Sequence, residues 1–114
     1  MRLLRLGDEG EMNLLEFIGP GIPPYAVLSH TRGDGEVAFE NMVQSTAHKK
    51  PGLWKLVFGA RQAALDGLRY IWDVTCCIDR FNDFEVKQSL YILFELFQRC
   101  VKCHVFLTDV AIYN

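Results

Sequence analysis

The chain's hydrophobic positions come in short runs separated by turn chemistry. Residues 2–6 and 13–18 are apolar-rich and flank Gly7-Asp8-Glu9-Gly10, which predicts an N-terminal β-hairpin over residues 1–19. Gly19-Pro20-Gly21-Ile22-Pro23-Pro24 reads as a stiff linker, because three prolines and two glycines suit neither a helix nor a central strand. Tyr25 to His30 is a compact apolar run and predicts a buried strand, followed by a loop from Thr31 to Gly35. Residues 36–50 stay ambiguous; Val37, Phe39 and Met42 fit a strand or a helical turn. Pro51 opens a helix in which Trp54, Val57, Arg61, Ala64 and Leu68 share one face, and Asp66-Gly67 ends it. Tyr70 to Cys76 is β-branched and aromatic and predicts a second buried strand. Asn82 with Glu85 forms an N-cap pair for a helix whose Val86, Leu90, Leu93, Phe94, Phe97 and Val101 align on one face. Cys103 to Val110 predicts a third strand. Strands separated by helical crossovers of this length imply a parallel sheet in an α/β fold, with the core over residues 25–110.

Composition narrows the class. The 114 residues make one domain or less, and half of them are apolar, which excludes disorder. Charges interrupt every long apolar stretch, so no membrane span is expected. The net charge of −2, with Lys49-Lys50 as the one basic pair, argues against a nucleic-acid footprint. The start Met-Arg-Leu-Leu-Arg-Leu lacks a signal-peptide pattern, and no Asn heads a glycosylation sequon. A cytoplasmic, reducing setting follows as the expectation, which makes the four cysteines thiols or ligands before disulfides.

Several constellations carry candidate chemistry. Cys100-Val101-Lys102-Cys103-His104 spells the haem-attachment pattern, but it straddles a helix end and a strand start in a chain without an export signal. The same cysteines suit a redox pair poorly, because a helix C-terminus favours the thiol over the thiolate. Zinc at Cys76, Cys77, Cys100, Cys103 and His104 fails on distance. The predicted helix between the groups spans roughly 25 Å, whereas Zn–S bonds are about 2.3 Å. Buried, inert cysteines are expected instead, and the tryptophans and phenylalanines are expected in the core. Arg32-Gly33-Asp34 matches an adhesion tripeptide, but the glycines suit a tight turn. Ser29, His30 and Asp34 gather at the carboxyl end of the first parallel strand, and Asp79 follows the second. That edge is where α/β sheets bind ligands. The alternative is that His30 and Asp34 only satisfy loop backbone. A Ser29–His30–Asp34 triad conflicts with strand geometry, which points neighbouring side chains to opposite faces.

Four blocks then carry a resemblance. Tyr25-Ala26-Val27-Leu28-Ser29-His30-Thr31-Arg32-Gly33-Asp34 resembles the Y-A-[IV]-L-S-H-T-W-G-D opening of the fungal heterokaryon incompatibility (HET) domain. Lys50-Pro51-Gly52 and its helix resemble the next segment of that family. Tyr70-Ile71-Trp72 with Thr75-Cys76-Cys77-Ile78-Asp79-Arg80 resembles the Y-[VI]-W-[IV]-D-T-C-C-I-D-K block. Cys103 to Val110 resembles C-Y-[VA]-Y-L-S-D-V, and the Met1-Arg2-Leu3-Leu4 start is typical of the family. The resemblance covers nearly the whole chain in order.

The resemblance implies a flavodoxin-like, TIR-like parallel sheet in a cytosolic module of non-self recognition and programmed cell death. It implies other incompatibility proteins, or further copies of the chain, as partners. Some TIR domains consume NAD, so NAD is the one cofactor the analogy offers. On this basis His30, Gly33, Asp34 and Asp79 are candidate binding residues, and Ser29, Thr75, Cys76, Cys77 and Glu85 are motif positions. The departures are specific. Arg32 stands where the family has Trp, Asp73-Val74 shifts the strand Asp by one residue, and Gln88 replaces a second glutamate. A carboxamide cannot act as a general base. Full HET domains continue to a W-T-L-Q-E-L type segment, whose glutamate resembles that of NAD-consuming TIR domains. The chain stops at Asn114 before any such residue. The expectation is therefore an incomplete domain that is catalytically silent alone and works by association. The rival expectation is an NAD-directed hydrolase that draws residues from another segment or chain.

Overall fold

The computed structural model describes residues 1–30, 35–88 and 99–106. Two strands, β1 (Arg2–Leu6) and β2 (Met12–Glu16), form the predicted hairpin, with Leu4 opposite Leu14. β3 (Tyr25–His30), β4 (Tyr70–Trp72) and β5 (Lys102–Phe106) complete a five-stranded sheet in the order β2-β1-β4-β3-β5. β3 pairs parallel with both β4 and β5, so the three parallel strands stand in the order second, first, third. The hairpin does not sit apart from them. β1 pairs antiparallel with β4, Leu4 beside Ile71, and the sheet is mixed rather than wholly parallel.

Three helices lie between the strands: α1 (Phe39–Val43), α2 (Leu53–Leu65) and α3 (Val74–Cys77). A further helix begins at 83 and is described to 88. The linker after the hairpin contains a 3-10 turn, Gly19–Gly21. Pro20 supplies the fixed φ of its first turn and lacks the N–H that the turn would leave unpaired. A second 3-10 turn, Ala47–Lys49, closes the segment that the sequence pattern leaves ambiguous.

The helix at Leu53–Leu65 has the predicted ends but the opposite face inward. Leu56, Gly59, Ala60 and Ala63 are buried, whereas Trp54, Arg61 and Ala64 are exposed. Apolar residues occur on both sides of this helix, so periodicity alone does not choose between them. Close packing does. A Cβ at Gly59 would lie 3.1 Å from both methyls of Leu28 on β3, so only the small-residue face can approach the sheet this closely. Lys55 is buried on the same helix, with its Nζ 3.2 Å from Glu36 Oε2.

The predicted Tyr70–Cys76 strand is split. β4 ends at Trp72, and Asp73 caps α3: its Oδ1 accepts from Thr75 N at 2.9 Å and from Thr75 Oγ1 at 3.0 Å. The core gathers Leu3, Leu4, Val27, Leu56, Ile71 and Trp72. Phe58, Phe81 and Phe84 stand out from it with Trp54, against the expectation of buried aromatics. Cys76 and Cys77 are buried as expected; Cys100 is half-buried and Cys103 is exposed, which the sequence reading did not anticipate. No described helix is long and apolar enough to cross a membrane.

Candidate functional site at the carboxyl edge of the sheet

The polar groups of the candidate edge are organised by one side chain, Arg2. β1 runs antiparallel to β4, so its first residue reaches the end where β4 turns into α3. There the Arg2 guanidinium forks onto Glu85, Nη1 to Oε1 and Nη2 to Oε2, the latter at 3.3 Å. Nη1 also donates to the Cys77 carbonyl at 3.2 Å. Its Nε lies 3.6 Å from Glu16 on β2, and the guanidinium sits 4.4 Å from the centroid of the Phe39 ring on α1. A planar fork of donors suits this task, because it satisfies a carboxylate in two places and stacks on a ring at once. Arg2 therefore ties the hairpin, α1, α3 and the helix from 83 together.

Glu85 is held from the other side as well. The Asp79 backbone N–H donates to Glu85 Oε1 at 3.2 Å. The predicted N-cap is present: Asn82 Oδ1 accepts from Glu85 N at 3.2 Å. The Asp79 carboxylate turns inward on its own loop and accepts from Phe81 N at 3.1 Å. Arg80 reaches Glu40 on α1 at 2.8 Å. Each of these contacts fixes the backbone between α3 and the next helix.

Among the predicted residues, Thr75, Cys76, Cys77, Asp79 and Glu85 come together here. Ser29 is half-buried on β3 opposite Val105, and the His30 backbone pairs with Phe106 at the same edge. Gly33 and Asp34 lie outside the described residues. The loop that bears them rejoins at Gly35, whose carbonyl accepts from Gly52 N at 2.8 Å. Gly35 has φ +80°, and a Cβ there would come within 2.5 Å of Pro51, so that anchor requires glycine. Cys76 is not poised as a nucleophile. Burial, and then the neighbouring Cys77, push its thiol well above the ordinary value. Cys77 Sγ lies 3.4 Å from Asp73 N, which donates to it.

Sequence reasoning missed the roles of two residues. Asp73, expected as a strand carboxylate shifted by one residue, leaves the strand and caps α3. Asp-Val-Thr before a short apolar run is an N-cap signature, and that signal was available. Arg2 carried no comparable signal, since its partner Glu85 lies 83 positions away. The cleft beside the cluster, lined by Arg2, Trp72, Cys77, Phe84, Glu85 and Gln88, holds about 290 Å³. That is at the lower limit of small-molecule sites. A larger space of about 730 Å³ lies elsewhere, between the hairpin and α1, with Met12, Leu14, Met42 and Leu53 among its lining. No group of three or more metal-binding side chains occurs among the described residues.

Comparison with known proteins gives one informative likeness. The chain is similar to vegetative incompatibility protein HET-E-1 of Podospora anserina. The two are 40% identical over 114 residues, which takes in 97% of this chain. The chain spans 8% of the length of that protein. No family model matches the chain, and no solved structure matches it.

Proposed function

We propose that this chain is a HET-type module of fungal incompatibility, acting in the cytoplasm by association with other proteins and performing no catalysis on its own. The observation that carries the proposal is the 40% identity to an incompatibility protein along 97% of the chain. The edge geometry supports its second half. Asp73, Asp79 and Glu85 each accept backbone or guanidinium hydrogen bonds that hold local structure. Carboxylates used this way position loops rather than substrate protons.

The flavodoxin-like and TIR-like reading draws on the second-first-third order of β4, β3 and β5, which opens the flavodoxin-type strand order. The same order favours a second reading. In such sheets ligands enter at the switch point, between the carboxyl ends of the first and third parallel strands. Here those ends are His30 and Phe106. An NAD-directed site would draw on His30, Gly33, Asp34 and Asp79, and would need a glutamate from another segment or chain.

Inducible expression of the chain in a filamentous fungus tests the proposal, with viability and cellular NAD followed together. Growth arrest or death at constant NAD is the expected result. Absence of any growth effect overturns the incompatibility role. An NAD fall that precedes death overturns the non-catalytic reading in favour of the second.

A further inference from the structure

Two solvent-facing apolar patches stand out, one apart from the edge cluster and one on the turn that borders it. The first is the outer face of α2. Trp54, Phe58, Arg61 and Leu65 succeed one another at spacings of four, three and four, so they stack in one stripe. Trp54 is 52% exposed, Phe58 43% and Leu65 80%. Lys50, Trp54, Val57, Phe58 and Arg61 line a groove of about 480 Å³. Its described lining includes no acidic residue, although the chain as a whole carries −2. A cationic, aromatic groove selects an acidic, aromatic partner.

The second patch is the turn after α3. Phe81 is 72% exposed and Phe84 70%, with exposed Asp83 between them. The turn is held in shape by the Asn82 cap and by the Asp79 carboxylate on Phe81 N. Arg80, the cation of this turn, lies over the Phe81 ring at 4.9 Å and is drawn to Glu40 on α1. Asp83, between the two phenylalanines in the chain, is exposed as well.

We propose that these patches bind each other between copies of this chain. The Phe81–Asp83–Phe84 turn of one copy seats in the α2 groove of the next, its rings against Trp54 and Phe58 and its carboxylate beside Lys50 and Arg61. The occupant is a second copy because this same chain carries the acidic aromatic complement that the groove selects. A two-fold contact of α2 on α2 would instead oppose two cationic faces. The contact joins different surfaces, so each copy keeps one open groove and one open turn. Such head-to-tail contacts build rings or filaments rather than closed dimers. The inference deepens the proposal of action by association and rests on it.

Sedimentation velocity of the purified chain across a concentration series tests it, with Arg61→Glu, Asp83→Arg and an equimolar mixture of the two. Both residues are exposed, and matching thermal transitions establish that the fold is kept. The expected result is reversible growth in mass beyond a dimer for the native chain. Each single variant weakens it at least tenfold, and mixing restores it, because each reversed charge then meets its reversed counterpart. A native chain that stays monomeric overturns the inference. Association that ignores both variants also overturns it, while leaving action by association standing. Loss in Arg61→Glu alone, with Asp83→Arg unaffected, overturns the pairing with the turn and leaves the groove engaging another surface of the chain.

Discussion

At the scale of single residues, the candidate edge is built around one cation. Arg2 is three-quarters buried at its side chain and satisfies Glu85, the Cys77 carbonyl and the Phe39 face together. Removing Glu85 would leave a part-buried guanidinium without its fork and the Asp79 N–H without its acceptor. Hydrogen bonds to charged groups contribute about 1.5–3 kcal/mol each, and the partly exposed setting puts the loss for Glu85→Ala at about 2 kcal/mol. Urea denaturation reads this as a lower midpoint with an unchanged slope. The cysteines divide by position. Cys103 is exposed, Cys100 is half-buried, and Cys76 and Cys77 are buried. A disulfide reagent at neutral pH should therefore modify Cys103 first and Cys100 more slowly, since burial also raises the Cys100 thiol. Cys76 and Cys77 should react only with denaturant present. Fast labelling of all four would contradict the burial of α3.

At the scale of elements, what was legible followed from local chemistry. The hairpin declared itself through its Gly-Asp-Glu-Gly turn, β3 through an unbroken apolar run, and the helix from 83 through Asn82 and Glu85. Those signals act between near neighbours, so the sequence displays them. The face of α2 is different, because it depends on how closely a helix approaches a sheet. Gly59, Ala60 and Ala63 pack inward, and the larger Trp54 and Phe58 turn outward. The expected Tyr70–Cys76 strand is split because the Asp73 cap outweighs the β-branched and aromatic residues around it. The mixed sheet was missed because pairing between β1 and β4 joins residues 67 or so positions apart, which no local pattern records. In the site, the motif residues around Thr75–Asp79 were recognisable, but the residue that organises them was not. The α2 packing makes a direct prediction. Gly59→Val drives two methyls into Leu28 and should destabilise by about 1–3 kcal/mol, read as a lower melting temperature. A neutral result would mean that α2 sits farther from β3.

At the scale of the whole molecule, stability and function both follow from what the edge carboxylates and thiols are doing. Burial raises the Cys76 thiol, and burial raises the Tyr25 hydroxyl. For a group with a raised folded pKa, the unfolded chain releases its proton first as pH rises. Stability is then fully present below the unfolded value, and it falls as pH climbs from that value toward the folded one. For Cys76 the decline begins near its ordinary value of 9.0. Thermal unfolding between pH 7 and 11 should show a loss above pH 9 that Cys76→Ala reduces. An unchanged alkaline loss in that variant would remove Cys76 as its source.

Under the proposed function the chain alone performs no chemistry at the sheet edge, where its carboxylates hold α3 and the following loop. The decisive measurement incubates the purified chain at high concentration with NAD and follows nicotinamide release over hours. The expected result is no release above the rate in buffer, with the chain folded throughout. Release that scales with chain concentration would contradict it, and loss of that release in His30→Ala would place the chemistry at the end of β3.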